Sequence, residues 1–181
     1  RVSIKFILNA GSRPTTGRLN TDDEINTELN EAIAILRENM SEFTLENIEG
    51  GVVDLTGLSQ YYIYNATVAN RDSIRDAAIA NPAAFLWRDD AINIYINGGT
   101  GSAISDFPPS NNMILMNQGC TNTPSCILHE LGHSLHLYHT HETAGSDGGD
   151  ECSDTITDSQ NWSKDQVANN NYGCLYANCS A

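Results

Sequence analysis

His129-Glu130-Leu131-Gly132-His133-Ser134-Leu135-His136-Leu137-Tyr138-His139 is the stretch on which the reading of this chain turns. It contains His-Glu-x-x-His, and His139 follows six residues after the second histidine. On a helix running from Leu128 to Leu135, His129 and His133 stand one turn apart on one face, with their imidazoles converging. Two neutral ring nitrogens so placed suit a zinc ion, and Glu130 beside them is a candidate general base. Apolar neighbours (Ile127, Leu128, Leu131, Leu135 and Leu137) give such a helix a buried side, as one lying behind a cleft needs. Two helical histidines with no metal is the competing reading of the bare motif.

A catalytic zinc site takes three protein ligands and leaves the fourth position to water. His136 shares the face of His129 but would lie about 10 Å further along a continued helix at 1.5 Å per residue. Ligands strung over two turns fit poorly around one ion whose Zn–N bonds are about 2 Å. His139 serves if the helix ends near His136 and the chain turns back. Such a turn favours positive φ, which histidine adopts more readily than most residues other than glycine. The expected ligands are therefore His129, His133 and His139, with His136 as the turn residue. His141 reads as a loop histidine beside the site, and Glu151 as a carboxylate ligand only if a supporting pattern surrounded it, which none does.

At 181 residues the chain is most simply one domain with a substantial core. A net charge of −14 with only nine Lys and Arg argues against nucleic acid and anionic membrane surfaces, since phosphate contacts need clustered cations. No apolar run is long enough to span a membrane. Five cysteines point to an oxidising, extracellular compartment, and their odd number leaves one without a partner in the chain. No secretory leader is read, because Arg1-Val2-Ser3 enters a strand pattern at once. Oligomeric state is not legible.

Val2–Leu8 reads as a strand with at least one buried face, and the turn-rich Asn9–Gly17 ends it. Thr21-Asp22-Asp23-Glu24 has the form of a capping box, and Ile25, Leu29, Ala32, Ile33, Leu36 and Met40 keep helical spacing, which predicts a helix over 22–40. Phe43–Leu58 suggests two short strands or a bulged hairpin around Gly50-Gly51, and Tyr61–Asn65 a further short strand. A short helix is expected over Arg71–Ala80, begun near Asp72 or Ser73. Ala91–Asn97 is the cleanest strand, and Met113–Met116 a shorter one. After His141 the chain turns polar and irregular. This order predicts an α+β domain.

The stretch resembles the long metzincin signature His-Glu-x-x-His-x-x-Gly-x-x-His. The residues after it, Leu137-Tyr138-His139-Thr140-His141-Glu142 and then Gly149-Asp150-Glu151-Cys152-Ser153-Asp154-Thr155, make the segment similar to the pappalysin family. The likeness is specific over residues 128–155 and architectural before that. It implies a metzincin-like α+β fold: a mixed twisted sheet, a backing helix, an active-site helix, and an irregular disulfide-held C-terminal part. It implies one catalytic domain over 1–181, with an upper part at 1–139 and a lower part at 140–181. The strand at Ala91–Asn97 would belong to the upper sheet lining the cleft, where bound peptide adds to a sheet edge.

Two departures stand out. His136 replaces the signature glycine, and the methionine turn that underlies the zinc in metzincins has no counterpart after His139. The only methionines, Met40, Met113 and Met116, lie upstream. The expectation is a chain cut just before that turn. Expected disulfides are Cys120–Cys126 and Cys152–Cys179, with Cys174 left over. The implied activity is secreted zinc-dependent endopeptidase chemistry on protein or peptide substrates, in which a zinc-activated water attacks and Glu130 is the base. Tyr172 and Tyr176 are weak stand-ins for an oxyanion donor. The acidic run Asp147, Asp150, Glu151, Asp154 and Asp158 offers calcium ligands, with a solvated loop as the equal alternative. Two further readings stay open: a zinc-stabilised, catalytically silent binding module of a larger extracellular protein, and a small secreted disulfide domain without metal.

Overall fold

Four strands of this chain run parallel, and the three longest are buried almost throughout. They are β1 (Val2–Ile7), β2 (Val53–Leu55), β3 (Ile92–Asn97) and β5 (Met113–Asn117). A two-residue strand, β4 (Ala103–Ile104), pairs antiparallel with β5 and makes the sheet mixed. The order across the sheet is β2-β1-β3-β5-β4. The computed structural model describes residues 1–15, 19–39, 44–105, 107–108, 112–118, 120 and 126–137. The chain divides after His136 into two compact units, Arg1–His136 and Leu137–Ala181, and the sheet with its covering helices belongs to the first.

Alternation along the strands sends side chains to two separate cores. Val2, Ile4, Phe6, Ile94, Ile96, Ile114 and Met116 face a layer built from α1 (Asp22–Asn39) and α4 (Cys126–Ser134). Ile7, Tyr95, Met113 and Leu115 face the opposite layer, where α2 (Val68–Ala80) contributes Ile74 and Ala78 and α3 (Pro82–Phe85) contributes Phe85. The fold is thus α+β with a mixed five-stranded sheet, as the sequence led one to expect.

Helix α1 spans nearly the predicted range. Its capping box forms: Thr21 Oγ1 accepts from Glu24 N at 3.2 Å, and Glu24 Oε2 accepts from Thr21 N at 3.2 Å. Ile25, Leu29, Ala32 and Leu36 fill its buried stripe. Helix α2 starts three residues before the predicted start at Arg71, at Val68, because Thr67 and not Asp72 or Ser73 caps it, accepting from Asn70 N at 3.3 Å.

Two expectations are corrected. No hairpin forms around Gly50-Gly51. Asn47 bridges Val2, and Val53–Leu55 pair with Lys5–Ile7, both parallel, so the two pieces line one edge of β1 in the same direction with a turn between them. Tyr61–Asn65 is not a strand; Ser59–Tyr61 forms a single 3-10 turn instead. Asn97 and Asn117 hold the segment that follows, donating to the carbonyls of Tyr61 and Tyr64, and Asn117 Oδ1 accepts from Ala66 N. The strand expected at Ala91–Asn97 is β3, an interior strand with β1 and β5 on its two sides. The edge nearest the motif helix is β4.

Candidate metal centre

Helix α4 begins at Cys126, which is bridged to Cys120 just beyond β5, with their Cα atoms 6.2 Å apart. The expected Cys120–Cys126 disulfide is therefore present, and it ties the start of the motif helix to the end of a central strand. Ile127 and Leu131 are buried against the sheet. That orientation turns His129 and His133 to the same outer face. Their Nε2 atoms lie 3.2 Å apart and their rings stand edge to face, with centroids 4.7 Å apart.

This spacing can be tested against zinc geometry. Two Zn–N bonds of about 2.0–2.1 Å at a tetrahedral angle separate their nitrogens by about 3.3–3.4 Å. The observed 3.2 Å is close to that, so the pair fits one shared ion without a change of backbone. The helix then stops as predicted. Leu135 N donates to the carbonyls of Leu131 and Gly132, His136 N donates to His133, and His136 has φ 71°. His136 is thus the turn residue, in the left-handed region where the signature has glycine.

Glu130 is only 6 % exposed. Burial raises its carboxyl above the ordinary range, against the opposing effects of His133 and of a backbone hydrogen bond from Ser105. Ser105 follows β4 directly and is held at three atoms. Its N–H serves Glu130, its Oγ lies 2.8 Å from Ser134 Oγ, and its carbonyl accepts from Arg71 Nη1 at 2.6 Å. Ser134 also donates to the Glu130 carbonyl at 3.2 Å. Phe107 packs edge-on against His133, with centroids 5.3 Å apart, and lies 6.0 Å from His136.

The structure therefore brings together His129, Glu130 and His133, three of the four predicted site residues. Among the described residues no three His, Cys, Asp or Glu side chains gather into a metal site. His139 lies outside the described residues, as do His141, Glu151, Tyr172, Tyr176, the acidic run at Asp147–Asp158, and Cys152, Cys174 and Cys179. Met113 and Met116 are fully buried core residues of β5. One expectation about the helix flank fails: Leu135 and Leu137 are 58 % and 57 % exposed, because the helix ends at Ser134 and they leave its apolar stripe.

Sequence reasoning missed Ser105, Ser134, Arg71 and Phe107. A strand as short as Ala103–Ile104 has no period to read, so nothing marked Ser105. Arg71 did carry a signal. It shares a stripe at helical spacing with the buried Ile74 and Ala78, and an arginine on a core stripe calls for a partner inside.

Comparison with known proteins adds one finding. Residues 94–180 match the family model described as Pregnancy-associated plasma protein-A, a family of zinc-dependent metallopeptidases. No curated protein and no solved structure matches the chain. The matched stretch begins within β3 and carries β4, β5, α4 and the whole motif from His129 to His139. In sequence over that stretch, and in a fold consistent with a metzincin, the chain resembles the pappalysin family.

Proposed function

We propose that this protein is a zinc-dependent endopeptidase acting outside the cytosol, with His129, His133 and His139 as metal ligands and Glu130 as general base. The observation that carries the reading is the Nε2 pair 3.2 Å apart beside a buried glutamate, within the stretch that matches a peptidase family. A zinc ion held there would supply Lewis-acid polarisation of the scissile carbonyl and acidification of a water molecule. Glu130, buried beside the histidine pair, would take the water's proton and return it to the departing amine. The Ser105 N–H orients that carboxylate before substrate arrives. Strand β4, the outer strand beside α4, offers main-chain groups along which an extended peptide can lie. The Cys120–Cys126 bridge supports an oxidising compartment, and among the described residues no helix is long and apolar enough to cross a membrane.

The test compares cleavage of a casein-type substrate by the wild type and by Glu130→Ala, each with and without a zinc chelator. The expected result is chelator-sensitive cleavage by the wild type alone. Equal cleavage by both would remove the peptidase assignment from this site, and zinc binding without cleavage would favour the silent binding module.

A further inference from the structure

Ser105 touches both helical layers. Helices α2 and α4 lie on opposite faces of the sheet, packed into separate cores. They communicate around its β4 edge. From the α2 side, the nearly fully buried Arg71 gives Nη1 to the Ser105 carbonyl at 2.6 Å. Its Nε and Nη2 are fixed by Asp72 Oδ1, at 3.1 and 2.9 Å, so the guanidinium fork is set in orientation. From the α4 side, Ser105 meets Glu130 through its N–H and Ser134 through its hydroxyl.

A two-residue strand is a weak anchor by itself. Its ladder to β5 pairs only Ala103 with Met116 and Ile104 with Leu115, and stops before Ser105. Beyond the ladder, Ser105 is held by its hydroxyl contact with Ser134 and by the charge-assisted bond from Arg71, the stronger kind of hydrogen bond when buried. We propose that Arg71 is a positioning residue for Glu130: by clamping the Ser105 carbonyl from the far side of the sheet, it holds the Ser105 N–H on the Glu130 carboxylate. The catalytic part of this inference rests on the peptidase reading; the clamp itself does not.

The experiment uses the full chain and the variants Arg71→Met, Arg71→Lys and Arg75→Gln. Arg75 also bonds Asp72, at 2.9 Å, and serves as the control. Two quantities are read: kcat and KM on an internally quenched peptide, and hydrogen-exchange protection of the Ser105 amide. With Arg71→Met, kcat is expected to fall about tenfold, as a misoriented base would give, with KM within about twofold. The Ser105 amide is expected to exchange as fast as it does in Glu130→Ala. Arg71→Lys, which keeps a charged donor, should recover part of both. The proposal is overturned if Ser105 stays protected in Arg71→Met, or if kcat stays within about twofold of the wild type. It is also overturned if Arg75→Gln lowers kcat equally. If Arg71→Met does not fold, the graded loss in Arg71→Lys decides in the same way. A wild type that cleaves nothing defeats the peptidase reading, while the exchange measurement still decides the clamp.

Discussion

The two faces of the sheet are both packed by helices, yet they are built on different chemistry. On the α1/α4 face, β1 contributes Val2, Ile4 and Phe6, with Leu8 just beyond its end, all apolar. On the α2/α3 face the same strand contributes Ser3, Lys5 and Ile7, and both polar residues are completely buried. Lys5 Nζ donates to Asn93 Oδ1 at 2.6 Å and lies over the Tyr95 ring, 4.9 Å from its centroid. Ser3 donates to Glu49 at 2.8 Å, and Glu49 is in turn held by Arg88. The motif helix rests on the apolar face, and a polar network fills part of the other. The contrast teaches that an apolar base lies under the histidine pair, while the buried lysine and its network are kept on the opposite side.

The largest effect that can probe this contrast is catalytic. Glu130→Ala is expected to lower kcat/KM by about 10²–10⁴-fold without loss of bound zinc, measured by peptide turnover and metal analysis. A retained rate would detach the chemistry from the apolar face altogether.

Next come the cores. Ile94→Ala is expected to cost about 2–5 kcal/mol in urea unfolding, since the side chain is fully buried among apolar neighbours. The loss should be the same at acid and alkaline pH. A strongly pH-dependent loss would erase the distinction between the faces.

Lys5→Met sharpens it from the other side. Burial lowers the Lys5 ammonium from 10.5 to about 7, partly offset by Glu49. Between those values the unfolded chain holds a proton that the folded chain has released, so stability rises with pH across that window. Below it both states are protonated, and the fold carries the full cost of a buried charge. Removing the amine should therefore stabilise the protein more at about pH 6 than at about pH 9. Equal differences at the two pH values would show that Lys5 is not buried as described. The smallest effect is Thr21→Ala, which removes the α1 cap and should cost about 1 kcal/mol in the same unfolding measurement.

Legibility followed the same division. The apolar face was readable because its residues repeat with strand and helix periods: the α1 stripe, β1, β3 and the motif helix all appear near their predicted places. His136 was identified as a left-handed turn from ligand reach alone, and its φ of 71° agrees. On the other face helix α2 was readable, but the polar network was not. The alternation Val2-Ser3-Ile4-Lys5-Phe6 reads as one wet and one dry side, and nothing local announces that Asn93 and Tyr95 wait to receive Lys5. Strand β4 and the Arg71–Ser105 bond were hidden for a related reason: each depends on partners more than ten residues distant in the chain, not on a local pattern.

The interior position of β1 has a consequence for how the protein comes into being. Its register with β3 joins Val2 to Ile92 and Phe6 to Ile96, so this strand must wait for one about ninety residues later. Such distant pairings close slowly, because chain entropy is lost before contacts compensate for it. Strand β5 and helix α4 follow β3 in the chain, and β5 pairs with it. During synthesis the histidine pair is therefore among the last of these features to be completed, and a chain arrested earlier exposes the unpaired edges of β1, a template for aggregation.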